Sequence, residues 1–374
     1  MRSVGLSFLV CCTVGFAANP VASVHFKGGE QGRTQIDVKI NGQGPFPFLF
    51  DTGSMSILLL DLANHLGIKV NGHHTMQGFG GLVETASAVL DSINLGDLTM
   101  GRSEVTVIGG GPFSQGDLAG ILGREFLAKL VTEVDYEHGT LKFFDSAAFA
   151  YTGRGTRLPV TVRQDQLMTI PIEVFGMAAD IQVDSGSEKP LVLFPRFVQV
   201  HNLHSKLEAI TGYGFGGLTR AMVTRAPVLM MGNLKIMHPP AYLSLDQNGL
   251  EAGPADGNVG GPLLREFTCV YDLPHRWLYL EPNAWYGKPE LADKSGIVLD
   301  TRGASAKVLF IYPGSPAAKA GIVSGDELKD AKGRELTGNE WHDLLDGEPN
   351  SIVRVIVKHQ GHVMDVSFAL RRYF

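Results

Sequence analysis

Polar and apolar residues alternate with a period of two through Gln35-Ile36-Asp37-Val38-Lys39-Ile40, the pattern of a strand buried on one face. Asn41-Gly42-Gln43-Gly44 then predicts a turn. The apolar run Phe48-Leu49-Phe50 predicts a buried strand that delivers Asp51 to its end. Leu58 to Leu66 predicts a short helix stopped by Gly67. Gly78-Phe79-Gly80-Gly81-Leu82 predicts a glycine-rich loop among short strands, and Asn94-Leu95-Gly96-Asp97-Leu98 a hairpin. Gly120-Ile121-Leu122-Gly123-Arg124-Glu125-Phe126-Leu127, Val131 to Asp135 and Leu141 to Phe144 complete this unit.

The same order then returns. Ile181-Gln182-Val183 predicts a strand ending at Asp184, and Gly214-Phe215-Gly216-Gly217-Leu218 repeats the glycine-aromatic loop. Met231-Gly232-Asn233-Leu234 stands where the hairpin stood. Gly260-Gly261-Pro262-Leu263-Leu264-Arg265-Glu266-Phe267 shares Arg-Glu-Phe with the earlier stretch, and Trp277 to Leu280 closes the unit. Many short strands joined by glycine turns predict a mainly β chain of sandwich or barrel type.

Composition narrows this further. At roughly 100–200 residues per domain, a chain of 374 residues predicts two or three domains. The net charge of −6 offers no basic surface, so no nucleic-acid partner is expected. Arg2, the apolar run Val4 to Phe16 and the small residues Ala17, Ala18 and Ala22 predict a cleavable secretory signal over 1–22. That places the protein outside the cytoplasm, secreted or periplasmic. The run is too short to span a bilayer comfortably, and no later stretch reads as a membrane span. Once the signal is removed, Cys269 is the remaining cysteine, so stability is expected from packing rather than a disulfide.

The candidate chemistry lies in two matched turns. Asp51-Thr52-Gly53-Ser54 and Asp184-Ser185-Gly186-Ser187 each follow a strand-like run, 184 − 51 = 133 positions apart. Two carboxylates held close together do not both ionise easily, so they share a proton. One then serves as base and the other as acid toward a single water, which is what amide hydrolysis needs. Gly53 and Gly186 allow the backbone to approach the carboxylates, and Thr52 and Ser185 supply hydroxyls to hold the loops together. Ser54 and Ser187 are expected to bond the outer carboxylate oxygens. No His-Glu-x-x-His and no Gly-x-Ser-x-Gly occurs. His73-His74 and His201-x-x-His204 lack a supporting cluster, so neither a metal nor a cofactor is expected.

These motifs resemble those of bacterial pepsin-like and retropepsin-like aspartic proteases, with both halves in one chain over roughly residues 25 to 285. The resemblance implies a pseudo-two-fold double β-barrel with halves at 23–150 and 151–285, and Asp51 and Asp184 as the dyad. It also implies an apolar-apolar-Gly element behind each acid. Ile121-Leu122-Gly123 fits this, whereas Asn258-Val259-Gly260 has Asn at the first apolar place and Glu188-Lys189-Pro190 puts charge where small residues are usual. Phe79, Gly80, Phe215 and Gly216 are implied flap residues over a polypeptide substrate.

Pro282 to Lys294 turns polar, with 286–294 as linker, and residues 295–374 resemble a bacterial-type PDZ domain, a small α+β fold. The resemblance rests on Ser295-Gly296-Ile297-Val298-Leu299, Gly314-Ser315-Pro316-Ala317-Ala318-Lys319-Ala320-Gly321-Ile322 and Ser324-Gly325-Asp326-Glu327-Leu328. Ser315 can cap a helix that Pro316 begins and Gly321 ends. The resemblance implies a C-terminal peptide ligand bound near Gly296, Ile297 and Val298, with Trp341 and Leu345 on the facing helix. The function expected is an aspartic endopeptidase. Its alternative is a peptide-binding or scaffold protein that keeps the fold without turnover.

Overall fold

The computed structural model describes residues 19–28, 34–109, 118–164, 166–204, 210–214, 216–288, 294–301, 305–345 and 347–371. The N-terminal signal run, Phe215 and most of the linker, 289–293, therefore lie outside the described residues. Strands hold 51% of the chain and helices 9%, so the class is mainly β.

Two large sheets share one topology. The first runs, neighbour to neighbour, through Val70–Gly78, Gly81–Leu90, Ser103–Ile108, Ile57–Leu59, Gly120–Leu122, Gln43–Phe50, Gln35–Ile40, Ile93–Leu95 and Leu98–Met100. The second runs through Ile210–Gly214, Gly217–Arg225, Pro240–Ser244, Leu191–Leu193, Gly257–Gly260, Met177–Asp184, Met168–Val174, Val228–Met231 and Leu234–Met237. Position by position, each strand of the second is the counterpart in chain order of one in the first. The sense of pairing matches as well: Gln43–Phe50 is parallel to Gly120–Leu122, and Met177–Asp184 is parallel to Gly257–Gly260. Neither path closes on itself among the described residues, so the expected barrels are open sheets.

A third, six-stranded sheet draws on both halves. Leu130–Asp135 pairs with Phe267–Asp272, with Val134 opposite Cys269. Its fully buried polar side chains include Thr132 and Glu133, and Lys142 Nζ reaches Glu133 Oε1 at 2.8 Å. This base ties the halves together beneath the two Asp turns.

Local chemistry explains the details. Gln35–Ile40 buries Ile36, Val38 and Ile40 and exposes Asp37 and Lys39, as its alternation predicts. The segment predicted as one helix splits instead. Ile57–Leu59 is a buried strand parallel to Thr106–Ile108, and the helix is Leu60–His65. Three consecutive apolar residues buried on both faces favour a central strand over a helix turn. Gly67 still ends the helix, with φ at +64°.

The third module has a five-stranded sheet in the order Ile297–Asp300, Ala306–Ile311, Glu327–Asp330, Ile352–His359, His362–Ala369. Ser315 caps the short helix Pro316–Lys319, its Oγ accepting from Ala318 N at 3.1 Å. Its own core includes Val308, Ala317, Leu328, Trp341, Val355 and Phe368. A separate apolar cluster joins the module to the second sheet: Tyr312, Phe310 and Val298 pack with Val192, Phe194 and Tyr242.

Candidate active site

Each acid is placed by the same local construction. Phe50 is opposite Leu122, and Asp51 N–H donates to the Leu122 carbonyl at 3.0 Å. The chain segment 54–56 then crosses against Gly123, where a Cβ would lie 2.5 Å from Ser56 N and 2.6 Å from Ser54 O. Only a glycine permits that approach. In the second half Val183 is opposite Val259 and Asp184 opposite Gly260. Gly260 lies against the carbonyls of Ser187 and Lys189 in the same way. Arg124 N–H donates to Ser54 O at 2.9 Å, and Gly261 N–H to Ser187 O at 3.0 Å. This register makes Gly123 the counterpart of Gly260. The two Arg-Glu-Phe triplets therefore begin one and five residues after their glycines and are not equivalent.

The two turns interlock. Thr52 N–H donates to Ser185 Oγ at 3.1 Å, and Ser185 N–H to Thr52 Oγ1 at 3.0 Å. Each hydroxyl donates onward into the opposite strand, Thr52 Oγ1 to Val183 O at 3.0 Å and Ser185 Oγ to Phe50 O at 3.3 Å. A Cβ on Gly53 would lie 2.5 Å from Asp184 Cγ, and one on Gly186 would fall on the Asp51 carboxylate.

This brings Asp51 and Asp184 into hydrogen-bond contact. Only 8% of Asp51 and 7% of Asp184 is exposed, so both carboxyls are largely shut off from bulk water. Burial is the largest cause lifting both carboxyls above their ordinary range. For Asp184 the rise is large, and the negative charge of Asp51 adds to it. Arg124 pulls Asp51 the other way. Gly53 N–H donates to Asp51 Oδ1 at 2.8 Å. Gly186 and Ser187 N–H groups donate to Asp184 Oδ1, both at 3.1 Å.

The outer oxygens are not held as expected. Ser54 Oγ donates to the Met55 carbonyl at 3.0 Å, and Ser187 Oγ lies 3.4 Å from Lys189 O. Both hydroxyls are taken by their own turns. Ser187 serves Asp184 through its backbone instead. The group on Asp184 Oδ2 is Asn258, whose Nδ2 donates at 2.7 Å. Its presence in an otherwise apolar element was the sequence signal. Ser56 and Glu125 gave no signal. The Glu125 carboxylate accepts from Ser56 N at 3.0 Å and Ser56 Oγ at 2.8 Å, and Ser56 Oγ accepts from Gly123 N at 3.1 Å.

Phe79-Gly80 forms the tip of the hairpin joining Val70–Gly78 to Gly81–Leu90. Gly80 takes φ +86° there. The tip meets the other half directly, with Gly216 N–H donating to Phe79 O at 2.6 Å. Gly216 is in the matching hairpin, between Ile210–Gly214 and Gly217–Arg225. The Phe79 ring packs edge-on to Phe194, centroids 6.2 Å apart. Gly249, at φ +65°, has no room for a side chain because Gly78 O occupies the space.

The first turn, with its acid behind a crossing glycine, falls within the stretch that matches a known family. Residues 36–126 match the Aspartyl protease family model. The matched segment contains Asp51, the Phe79 hairpin and Ile121-Leu122-Gly123, and the match supports a protease-like, hydrolytic function. No curated protein matches the chain. Among the described residues no helix is long and apolar enough to cross a membrane.

In the third module Gly296 has φ +78° and precedes the edge strand Ile297–Asp300. Ile297, Trp341 and Leu345, expected beside a peptide, are instead 6%, 1% and 6% exposed and belong to the module's own core. They fix the helix Gly338–Leu345 to the sheet. Val298 is turned to the cluster shared with the second sheet.

Proposed function

We propose that the protein is an aspartic endopeptidase whose dyad is Asp51 and Asp184, built from two fused halves. The observation that carries this is the pair of interlocked turns, with each glycine against the other half's carboxylate. The two carboxyls are close enough to share a proton, and their burial opposes double ionisation. The ionised member takes a proton from a water held between them. The protonated member donates to the substrate carbonyl. The oxygen adds to the carbon, the roles reverse, and the nitrogen leaves as an amine. Substrate lies extended under the Phe79 and Gly216 tips, which shut out bulk water.

The third module is read as a PDZ domain that receives a peptide at the edge strand Ile297–Asp300. The N-terminal apolar run is read as a secretory signal. Val21 N–H bonds to Phe143 O and Ala22 begins the first strand, so cleavage before Val21 leaves that strand intact.

The test is a peptide-library digest from pH 3 to 7 with wild type, Asp51→Asn and Asp184→Asn. Cleavage by wild type alone is the expected result. Silence of all three, with each folded, supports the second reading, a peptide-binding scaffold. Equal cleavage by all three removes the dyad. The second reading keeps its place because Glu188-Lys189 puts two charged residues directly after Ser187 in the second turn.

A further inference from the structure

The two acids sit in unlike surroundings. In the first half Ile121 is opposite Ile57, and both are buried apolar side chains. In the second half the same register puts Asn258 opposite Val192. Asn258 is fully buried, and its Nδ2 donates to Asp184 Oδ2 at 2.7 Å while its Oδ1 has no hydrogen-bond partner. A buried amide with one end unsatisfied is less stable there than an apolar side chain of that shape. Nothing in the packing demands it, because Ile121 fills the equivalent place without an amide. What the amide adds is a donor on the one Asp184 oxygen that the turn leaves free.

We propose that Asn258 is a positioning residue for the second acid: its amide anchors Asp184 Oδ2 and favours the carboxylate form of Asp184. This rests on the peptidase reading. A hydrogen bond donated to a carboxylate favours its charged form. Asp184 then takes three donors, from Gly186, Ser187 and Asn258. Burial and the Asp51 charge act in the opposite sense, and the amide offsets them. It also fixes the rotation of the carboxyl, so that Oδ2 has one setting. Other titratable groups around the pair are Arg124, which acts on Asp51, and the buried phenol Tyr136, which feels both carboxylates. Tyr271 and Cys269, in the strand Phe267–Asp272, lie close to Tyr136, which follows the strand Leu130–Asp135. Glu188 and Lys189 follow Ser187, and the Lys189 ammonium sits 4.9 Å from the Tyr242 ring.

The experiment uses the full chain with Asn258→Leu, which keeps the branched shape, and Asn258→Val, which has one heavy atom fewer and suits a strand. Carboxyl titrations are followed by ¹³C NMR of aspartate-labelled protein, alongside pH–rate profiles on a cleaved peptide. In both variants we expect Asp184 to titrate about one unit higher, tenfold in proton affinity. The limb of the rate profile that reports the dyad moves with it, kcat falls about tenfold, and KM stays within about twofold. Melting temperatures are expected to change little, because each variant removes an unsatisfied amide end together with the donor on Asp184 Oδ2. An unmoved Asp184 titration in a folded variant overturns the proposal, as does a loss of stability with no shift. If wild type cleaves nothing but the titration moves, the positioning role stands and the peptidase reading falls.

Discussion

Thr52 and Ser185 bond each other in both directions across the two turns, at 3.1 and 3.0 Å. Both residues are 1% exposed, so neither bond has water as a substitute. Thr52→Val leaves Ser185 N–H without its acceptor, and Ser185→Ala does the same to Thr52 N–H. Each is expected to cost about 1–3 kcal/mol of unfolding free energy. The double variant is expected to cost less than the two single losses added together, because both changes open one joint. Urea denaturation of the four proteins measures this.

The glycines beside the acids carry a sharper prediction. Gly186→Ala sets a methyl on the Asp51 carboxylate, and Gly53→Ala sets one 2.5 Å from Asp184 Cγ. Overpacking of this kind costs about 1–3 kcal/mol, and pushing a carboxylate aside by about 1 Å costs on the order of 100-fold in rate. Gly42→Ala is the control. It has φ +77° but open space around it, so it pays only the backbone term of about 1–2 kcal/mol. Peptide turnover together with denaturation midpoints separates these effects.

Much of this site was legible in the chain. Phe48 to Ser54 and Ile181 to Ser187 announced two strand-to-turn acids, and the glycine-aromatic loops announced two hairpins. What could not be read was set by register. The Arg-Glu-Phe triplets matched in letters but not in place, since pairing of Leu122 with Phe50 and Val259 with Val183 fixes Gly123 against Gly260. Ser54 and Ser187 had the right chemistry but turned to nearby carbonyls, which a one-dimensional reading cannot see. Trp341 and Leu345 fell on the expected helix, but which face it buries depends on the sheet packed against it.

Glu251 gives a pH dependence. It is 5% exposed, accepts from Ser244 Oγ at 2.7 Å, and burial pushes its carboxyl from 4.5 up to about 7. The folded state therefore binds the proton more tightly than the unfolded chain. The associated stability is fully present below about pH 4.5 and is lost as pH rises to about 7, on the order of 3 kcal/mol in all. Glu251 lies in the turn Gly249–Ala252, which meets the Phe79 hairpin at Gly78. Amide exchange in that hairpin is expected to quicken across this pH interval. Glu251→Gln should flatten both the stability slope and the exchange change. A slope that persists in Glu251→Gln assigns the dependence to other groups, the dyad first.

The third module is held to the second sheet by a small set of side chains, and Tyr312 is the one from the module most deeply placed. It is 3% exposed and belongs to the cluster with Val192, Phe194 and Tyr242 rather than to the module's own core. Its ring packs edge-on to Phe310, centroids 5.6 Å apart. Phe79 touches the same cluster through Phe194, so one apolar seam runs from the hairpin tip to the module. Tyr312→Ala removes the seam's centre while leaving Trp341, Leu328 and Val355 packed. Truncating a buried aromatic costs about 3–5 kcal/mol, and here the loss falls on the junction. Calorimetry of the full chain is expected to show one transition for wild type and two for Tyr312→Ala, the module melting apart from the sheets. If the variant still melts in one transition at the wild-type temperature, the seam does not couple the two bodies.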